Sequence, residues 1–356
     1  MNNKYGLISN SLILKEADAS FGFKALTRKQ FNEIKQSSEE EEAIHNICQN
    51  ILNNIEVTCD TIDHCRNIGA DHYRLNNSLF GLIQDPTFDI DLDDLPCAKE
   101  IKSKLTEIGK TAITKSVSLS VHLDSFCKLN DDDDAVVDKT VKEINFWSEI
   151  LSAIGLQENY SSPIITQINN QPKSSKHDDM VAFVDKFFEN FKELDEGAQK
   201  RLVIKNADVG DWSCLNLFKY FHVYCSEQHD HAFALSYDNL HDTHNISKMD
   251  GAEAMVEPQI NIGAFHETWG GVVPVFNWSE PKSPNSKSPA ATISEPIPDF
   301  NYQIKWELEF LDKDHSIVKI LQPSEEKISE EIIKKITRKK YTAVSSVYNR
   351  LYEKKK

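Results

Sequence analysis

Two hydrophobic rhythms alternate along this chain. Eight short segments rich in Val, Ile, Leu, Phe and Tyr read as strands: 4–12, 72–78, 116–123, 164–169, 201–208, 232–240, 272–279 and 302–310. Between them apolar residues recur at three- and four-residue spacing, the period of one helix face. Ile44, Ile47, Ile51 and Ile55 lie on such a stripe in 39–65, and Ile101, Leu105 and Ile108 form the next. Val137, Val141, Ile144, Leu151 and Ile154 follow. Val181, Val184, Phe188 and Phe191 make a further stripe, with Phe187 and Leu194 beside it, and Leu215, Phe218 and Phe221 another. Residues 249–263 follow neither period clearly. Strand and helix alternating eight times predict an α/β fold, a single (β/α)8 barrel. An open doubly wound sheet shares the alternation, but no Gly-rich phosphate loop follows the first strand.

Two stretches break the pattern. Residues 280–298 carry Pro281, Pro284, Pro289, Pro296 and Pro298, a long loop after the seventh strand. Residues 323–356 form a basic C-terminal extension after a barrel spanning 1–322, and Ile328, Ile332, Ile336 and Tyr341 suggest a helix in it. From Glu326 onward ten Lys/Arg face four Glu, about +6. The whole 356-residue chain has 40 Lys+Arg against 56 Asp+Glu, a net charge of −16. Residues 1–325 therefore carry about −22, which argues against a generic nucleic-acid coat or a binder of anionic membranes. A local basic groove on an acidic body remains compatible with acting on DNA. The runs 39–42 and 131–134 are acidic but lack the Gly and spacing of a calcium loop, and read as solvated surface. The seven cysteines are scattered and form no C-x-x-C, so neither a disulfide framework nor a zinc ribbon is expected. No signal peptide and no apolar stretch of membrane-spanning length is seen, so the expected setting is cytoplasmic, without a membrane partner and as a monomer.

In a barrel, chemistry collects at the C-terminal ends of the strands. Polar residues gather there: Arg74, Asn76 and Asn77; His122 and Asp124; Gln167, Asn169 and Asn170; Lys205, Asn206 and Asp208; Asp238 and His241; Asn277 and Ser279; Glu307 and Glu309. Asp238 and His241, three apart in Y-D-N-L-H, can offer an oxygen and a nitrogen to one divalent metal, or simply bond each other.

These motifs, in order, resemble the UV damage endonucleases, relatives of the endonuclease IV and xylose-isomerase-like barrels. The likeness runs over about residues 4–320. It includes the opening Tyr5-Gly6, Asn53, I-G-A-D-H-Y-R-L-N-N-S-L-F (68–80), S-V-H-L-D-S-F (120–126) and R-L-V-I-K-N-A-D (201–208). It continues through Y-D-N-L-H (237–241), Glu267-Thr268-Trp269, P-V-F-N-W-S (274–279) and W-E-L-E-F-L-D-K-D (306–314). The resemblance implies a barrel that nicks damaged double-stranded DNA on the 5′ side of UV photoproducts, using divalent, manganese-like ions. The lesion would be flipped out of the stack.

Carried over position by position, the resemblance makes His122, Asp238, His241 and Glu309 metal ligands and places Arg74 beside the site. Ser125-Phe126 takes the place of the family's lesion-probing pair, with the amide lost. Other positions depart. A family His falls on Gln167, the metal-bridging Glu on Lys205, a Lys on Val275 and a His on Asn277; Asp85 stands near a further His position. An ammonium repels a dication, so fewer ions than in the family, or none, are expected. Lys205 is expected either to hold a DNA phosphate, with Glu309 left as the other catalytic candidate, or to pair with Asp238 or Glu309. The alternatives are a non-catalytic damaged-DNA-binding or protein-binding barrel, and a single-metal sugar isomerase or epimerase using Asp238, His241 and Glu309.

Overall fold

The computed structural model describes residues 4–8, 10–37, 40–85, 87–88, 90–123, 128–247, 256–290, 293 and 297–308. Eight parallel strands are present: β1 Lys4–Ile8, β2 His72–Arg74, β3 Ser118–His122, β4 Ile164–Gln167, β5 Leu202–Lys205, β6 Ala234–Ser236, β7 Val275–Trp278 and β8 Lys305–Leu308. They run in the order β6-β5-β4-β3-β2-β1-β8-β7. The gap between β6 and β7 is bridged by the Asn277 N–H donating to the Tyr237 carbonyl (2.7 Å) and by the Ser236 hydroxyl donating to the Val275 carbonyl (2.7 Å). The result is a nearly closed parallel barrel, as the alternation predicts.

Every expected strand appears, each shorter than its apolar run. The trimming has a local cause at β6, where the Asp238 carboxylate accepts from the N–H groups of Leu240 and His241 (3.1 Å each) and starts a helix, Asn239–His244. The stripe in 39–65 becomes the helix Glu40–Asn67, with Ile47, Ile51 and Ile55 buried. Leu215, Phe218 and Phe221 lie on a helix that widens into π-helical turns over Phe218–Tyr224. The ambiguous 249–263 contains the start of Pro258–Glu267, where Pro occupies a first-turn position that needs no N–H. Three short helices, Leu12–Ala17, Arg28–Ser37 and Glu196–Arg201, are not predicted by the pattern: each buries two residues or fewer, too few to set a readable stripe. Residues 309–356, including the expected basic tail, lie outside the described residues.

Alternation along the strands divides two cores. Leu7, Tyr73, Leu119 and Trp306 are fully or nearly fully buried. They belong to the apolar core shared with the surrounding helices. The intervening positions turn inward. On β8 and β1 to β3 they are polar or glycine, with Gly6, His72, Ser120 and Glu307, whereas on β4 to β7 the polar Lys205, Ser236 and Asn277 share the inward face with Ile165, Val203, Ala234 and Val275. Beneath the barrel, the fully buried Arg201 forms no ion pair within 4 Å among the described residues, and Glu158 acts on it only at longer range. Arg201 donates to the Ser148 carbonyl and hydroxyl, the Ser152 and Ser162 hydroxyls and the Leu156 carbonyl instead.

The expectation of no disulfide is corrected: Cys48 and Cys97 are bonded. The helices Glu40–Asn67 and Ala98–Lys115 pack together and bring two cysteines 49 residues apart to a Cα separation of 6.0 Å, a proximity that spacing cannot reveal. Cys59, Cys65, Cys214 and Cys225 are free thiols. Among the described residues, no helix is long and apolar enough to cross a membrane.

Candidate functional site

The barrel interior is organised around one carboxylate. Glu307 on β8 is fully buried. Its register neighbour on β1 is Gly6, and Gly6 also pairs with His72 on β2. A Cβ on Gly6 would lie 2.8 Å from the His72 ring, so only glycine lets His72 and Glu307 meet across β1. They do so at 3.0 Å, Nε2 to Oε1. The Ser120 hydroxyl donates to the same oxygen (2.7 Å). An ionised carboxylate only accepts, so His72 carries its proton on Nε2, and Nδ1 takes up the Ser118 hydroxyl at 2.8 Å. Burial lowers the His72 pKa, consistent with a neutral ring.

The second oxygen of Glu307 faces the mouth. Arg74 Nε lies 3.0 Å from it, His122 Nε2 3.0 Å and Asn277 Nδ2 3.4 Å. Burial alone would raise the Glu307 carboxyl, but the Arg74 guanidinium reverses this and holds it well below the usual carboxylate range. Burial and Arg74 push His122 down to about 4, so its ring is neutral near pH 7. Among the described residues, Arg74 Nε, His122 Nε2 and Asn277 Oδ1 are buried without an aligned hydrogen bond. The Arg74 contact is therefore an ion pair without an aligned N–H, and the neutral His122 ring meets the carboxylate only as a dipole.

A second cluster sits on the far side of the mouth. Lys205 Nζ donates to Asp238 Oδ2 at 3.3 Å. Asn206 braces Asp238 twice: its Oδ1 accepts from the Asp238 N–H (2.7 Å) and its Nδ2 donates to the Asp238 carbonyl (3.1 Å). His241 Nδ1 faces the Asn206 carbonyl at 2.8 Å, which places the proton on Nδ1 and leaves the Nε2 lone pair 3.7 Å from Asp238 Oδ2. Burial raises the Asp238 carboxyl, but Lys205 and His241 outweigh it and the net shift is downward. Burial lowers His241. The helix carrying these groups is anchored by buried Asp242, which accepts from the Tyr237 hydroxyl (2.9 Å) and the Asn261 amide (3.1 Å).

The expected site residues thus separate into groups. Arg74 and His122 converge on Glu307, while Lys205, Asp238 and His241 form the second cluster; Asn277 bridges the two, its backbone joining β6 and its amide reaching Glu307. Gln167, the register neighbour of Lys205, donates to Asn169 (3.2 Å). Asp85 is engaged by Arg28 (2.7 Å) and by Thr87 instead. Val275 is buried and apolar. Ser125, Phe126 and Glu309 lie outside the described residues. The strand-eight carboxylate that the structure places at the centre is Glu307. Glu307, His72 and Asn206 carried no assigned role in the sequence. The signal for the first two was the period of two that puts His72 with Arg74, and Glu307 with Lys305, on one face of their strands.

The donor set does not fit a multi-ion centre. Among the described residues, no group of three or more His, Cys, Asp or Glu side chains is arranged to hold a metal ion. Among the described residues, the two carboxylates of these clusters already contact fixed cations of the chain, Glu307 with Arg74 and Asp238 with Lys205.

A (β/α)8 barrel with a charged, partly unsatisfied mouth belongs to the class that works on ligands at the C-terminal ends of its strands. Within that class the chain belongs to the UV-endonuclease UvdE family, whose model matches residues 3–342. It is 25% identical over 244 residues to a UV-damage endonuclease of Schizosaccharomyces pombe, covering 67% of this chain and 37% of that protein. It is 25% identical over 287 residues to a UV DNA damage endonuclease of Clostridium perfringens, covering 76% of this chain and 64% of that protein. The match thus spans less than two thirds of either curated relative. The crystal structure of SacUVDE shares the fold with a TM-score of 0.66 at 18% identity, covering 94% of this chain and 99% of that one.

Proposed function

We propose that this chain, a member of a DNA-repair enzyme family, engages UV-damaged double-stranded DNA at the barrel mouth, with metal-dependent nicking reduced or lost. The observation that carries this reading is the pairing of Glu307 and Asp238 with fixed cations, Arg74 Nε at 3.0 Å and Lys205 Nζ at 3.3 Å. In a metal-dependent phosphodiesterase those carboxylates neutralise divalent ions, which in turn polarise the phosphate. Here the guanidinium and ammonium take that place, and both are themselves phosphate donors. The Arg74 and Lys205 side chains remain 15% and 14% exposed, which leaves each within reach of an incoming phosphate. The family match to the endonucleases favours this reading over a sugar isomerase or epimerase.

A second reading keeps the family reaction, a nick 5′ to the photoproduct with a manganese-like ion. One observation favours it. His241 presents its Nε2 lone pair beside Asp238, with the tautomer set by Asn206, the way imidazoles are oriented for metals. Displacement of Lys205 would open a two-donor position there.

One experiment separates the two readings. Binding and nicking are measured on a duplex carrying a single thymine photodimer and on its undamaged counterpart, with manganese and with chelator, beside metal analysis of the purified protein. The expected result is chelator-insensitive preference for the damaged duplex with little nicking. Chelator-sensitive cutting would establish the second reading, and equal binding to both duplexes would remove the DNA assignment.

A further inference from the structure

Among the described residues three large apolar side chains are exposed: Ile113 (73%), Val209 (52%) and Ile246 (37%). Ile113 lies in the last turn of Ala98–Lys115, the helix that leads into β3, and so at the end of the barrel away from the mouth. The other two lie on the mouth side. Val209 follows β5, four residues after Lys205. Ile246 follows the helix that bears His241.

Both are held by closed, bonded backbone. The 207–212 loop is sealed by the Ala207 N–H donating to the Trp212 carbonyl (3.1 Å). It is clamped on one side by the β4 loop, through the Asp211 N–H to Gln171 Oε1 (2.7 Å) and the Trp212 indole N–H to the Asn170 carbonyl (2.8 Å). Lys287 of the Pro-rich segment clamps the other side, 3.0 Å from Asp208 Oδ2. Gly210, at φ +78°, lies directly under the Gln171 side chain, where a Cβ would clash. The Asn245 amide donates to the Ala207 carbonyl (3.0 Å) and ties the Ile246 segment to the same loop. Ser247 then fixes the other flank of Ile246: its hydroxyl accepts from the Leu215 N–H (3.0 Å) and its carbonyl from the Val256 N–H (2.9 Å). The polar groups named here bond within the rim, while the Val209 and Ile246 side chains remain exposed. A preorganised apolar tip gains free energy only when a partner brings apolar surface to it.

The geometry points to Val209 and Ile246 as an apolar wedge that presses on the unstacked bases of a damaged DNA step, setting discrimination between damaged and intact duplex. The inference rests on the DNA reading above. An intact duplex offers phosphates and stacked bases to this rim. A lesion lowers the cost of unstacking and exposes the apolar faces of its bases beside the phosphates that Arg74 and Lys205 would hold.

The test uses the full chain and fluorescence anisotropy on the photodimer duplex and its undamaged counterpart. The variants are Val209→Ser, Ile246→Ser and the double, with Ile113→Ser as the remote, still more exposed control. Each mouth variant is expected to lower the damaged-to-undamaged affinity ratio about fivefold and the double about thirtyfold, with Ile113→Ser unchanged. Mouth variants that keep the ratio of the Ile113→Ser control overturn the wedge. So does a loss that is equal on both duplexes, or a change in oligomeric state by sedimentation instead of in DNA binding. If the unaltered chain shows no preference for the damaged duplex, the DNA reading itself fails and the wedge with it.

Discussion

Replacing Arg74 by Met tests the electrostatic core of the mouth. Among the described residues Arg74 is the fixed cation in contact with Glu307, which is fully buried. Removing one partner of a buried ion pair costs about 3–5 kcal/mol, because the other charge stays in place. Ser120, His72 and Asn277 still donate to the carboxylate, so the lower end, about 3 kcal/mol, is expected at pH 8. The loss should shrink as pH falls. Burial and Arg74 hold His122 at about 4, below the 6.5 of an ordinary imidazole. Between those values the unfolded protein binds the proton and the folded protein does not, so falling pH destabilises the native chain. This residue contributes up to about 3 kcal/mol over the full interval. Without Arg74, His122 can accept a proton beside Glu307 and supply the missing cation, and the variant escapes that loss. The gap between the two proteins should close from about 3 kcal/mol at pH 8 to about 1 kcal/mol at pH 5. Urea denaturation at pH 5, 6.5 and 8 in chelator measures it. A gap that stays constant with pH, or one below about 1 kcal/mol at pH 8, refutes the coupled Arg74–Glu307–His122 network.

Three further outcomes follow from other parts of the molecule. Lys205→Ala should weaken binding to damaged and undamaged duplex alike and reduce the slope of log affinity against log salt by about 1; unchanged affinity would show that Lys205 serves only Asp238. Gly6→Ala puts a methyl 2.8 Å from the His72 ring and should cost about 1–3 kcal/mol in denaturant melts, with little change if His72 is replaced by Ala in the same chain. Cys97→Ser opens a loop of 49 residues and should lose up to about 4 kcal/mol under oxidising conditions and nothing once the parent is reduced, as read by parallel melts with and without dithiothreitol.

Much of the fold was legible because local rules set it. Two-residue alternation and three-to-four spacing marked all eight strands and the long helices, and strand ends pointed to Arg74, His122, Lys205, Asp238, His241 and Asn277. The errors came from partners distant in sequence. The role of Glu307 was missed because its partners lie on other strands: the register Gly6↔Glu307 beside Gly6↔His72 brings it to the His72 ring, while Glu309 lies outside the described residues. Arg28–Ser37 was missed because a single residue, Phe31, is buried from it. The Cys48–Cys97 bond depends on how two helices pack, which no cysteine spacing encodes.

By itself the sequence determined the barrel, the acidic body with its basic end, and strand ends that carry polar and charged residues such as Lys205 and Asn277. Those follow from residue period and residue chemistry. The tertiary structure decided the charge balance of the mouth, with Arg74 on Glu307 and Lys205 on Asp238, and the neutral state of His122. Ionisation depends on burial and on charges within a few ångströms, and chain closure brings those neighbours from strands up to 235 residues apart.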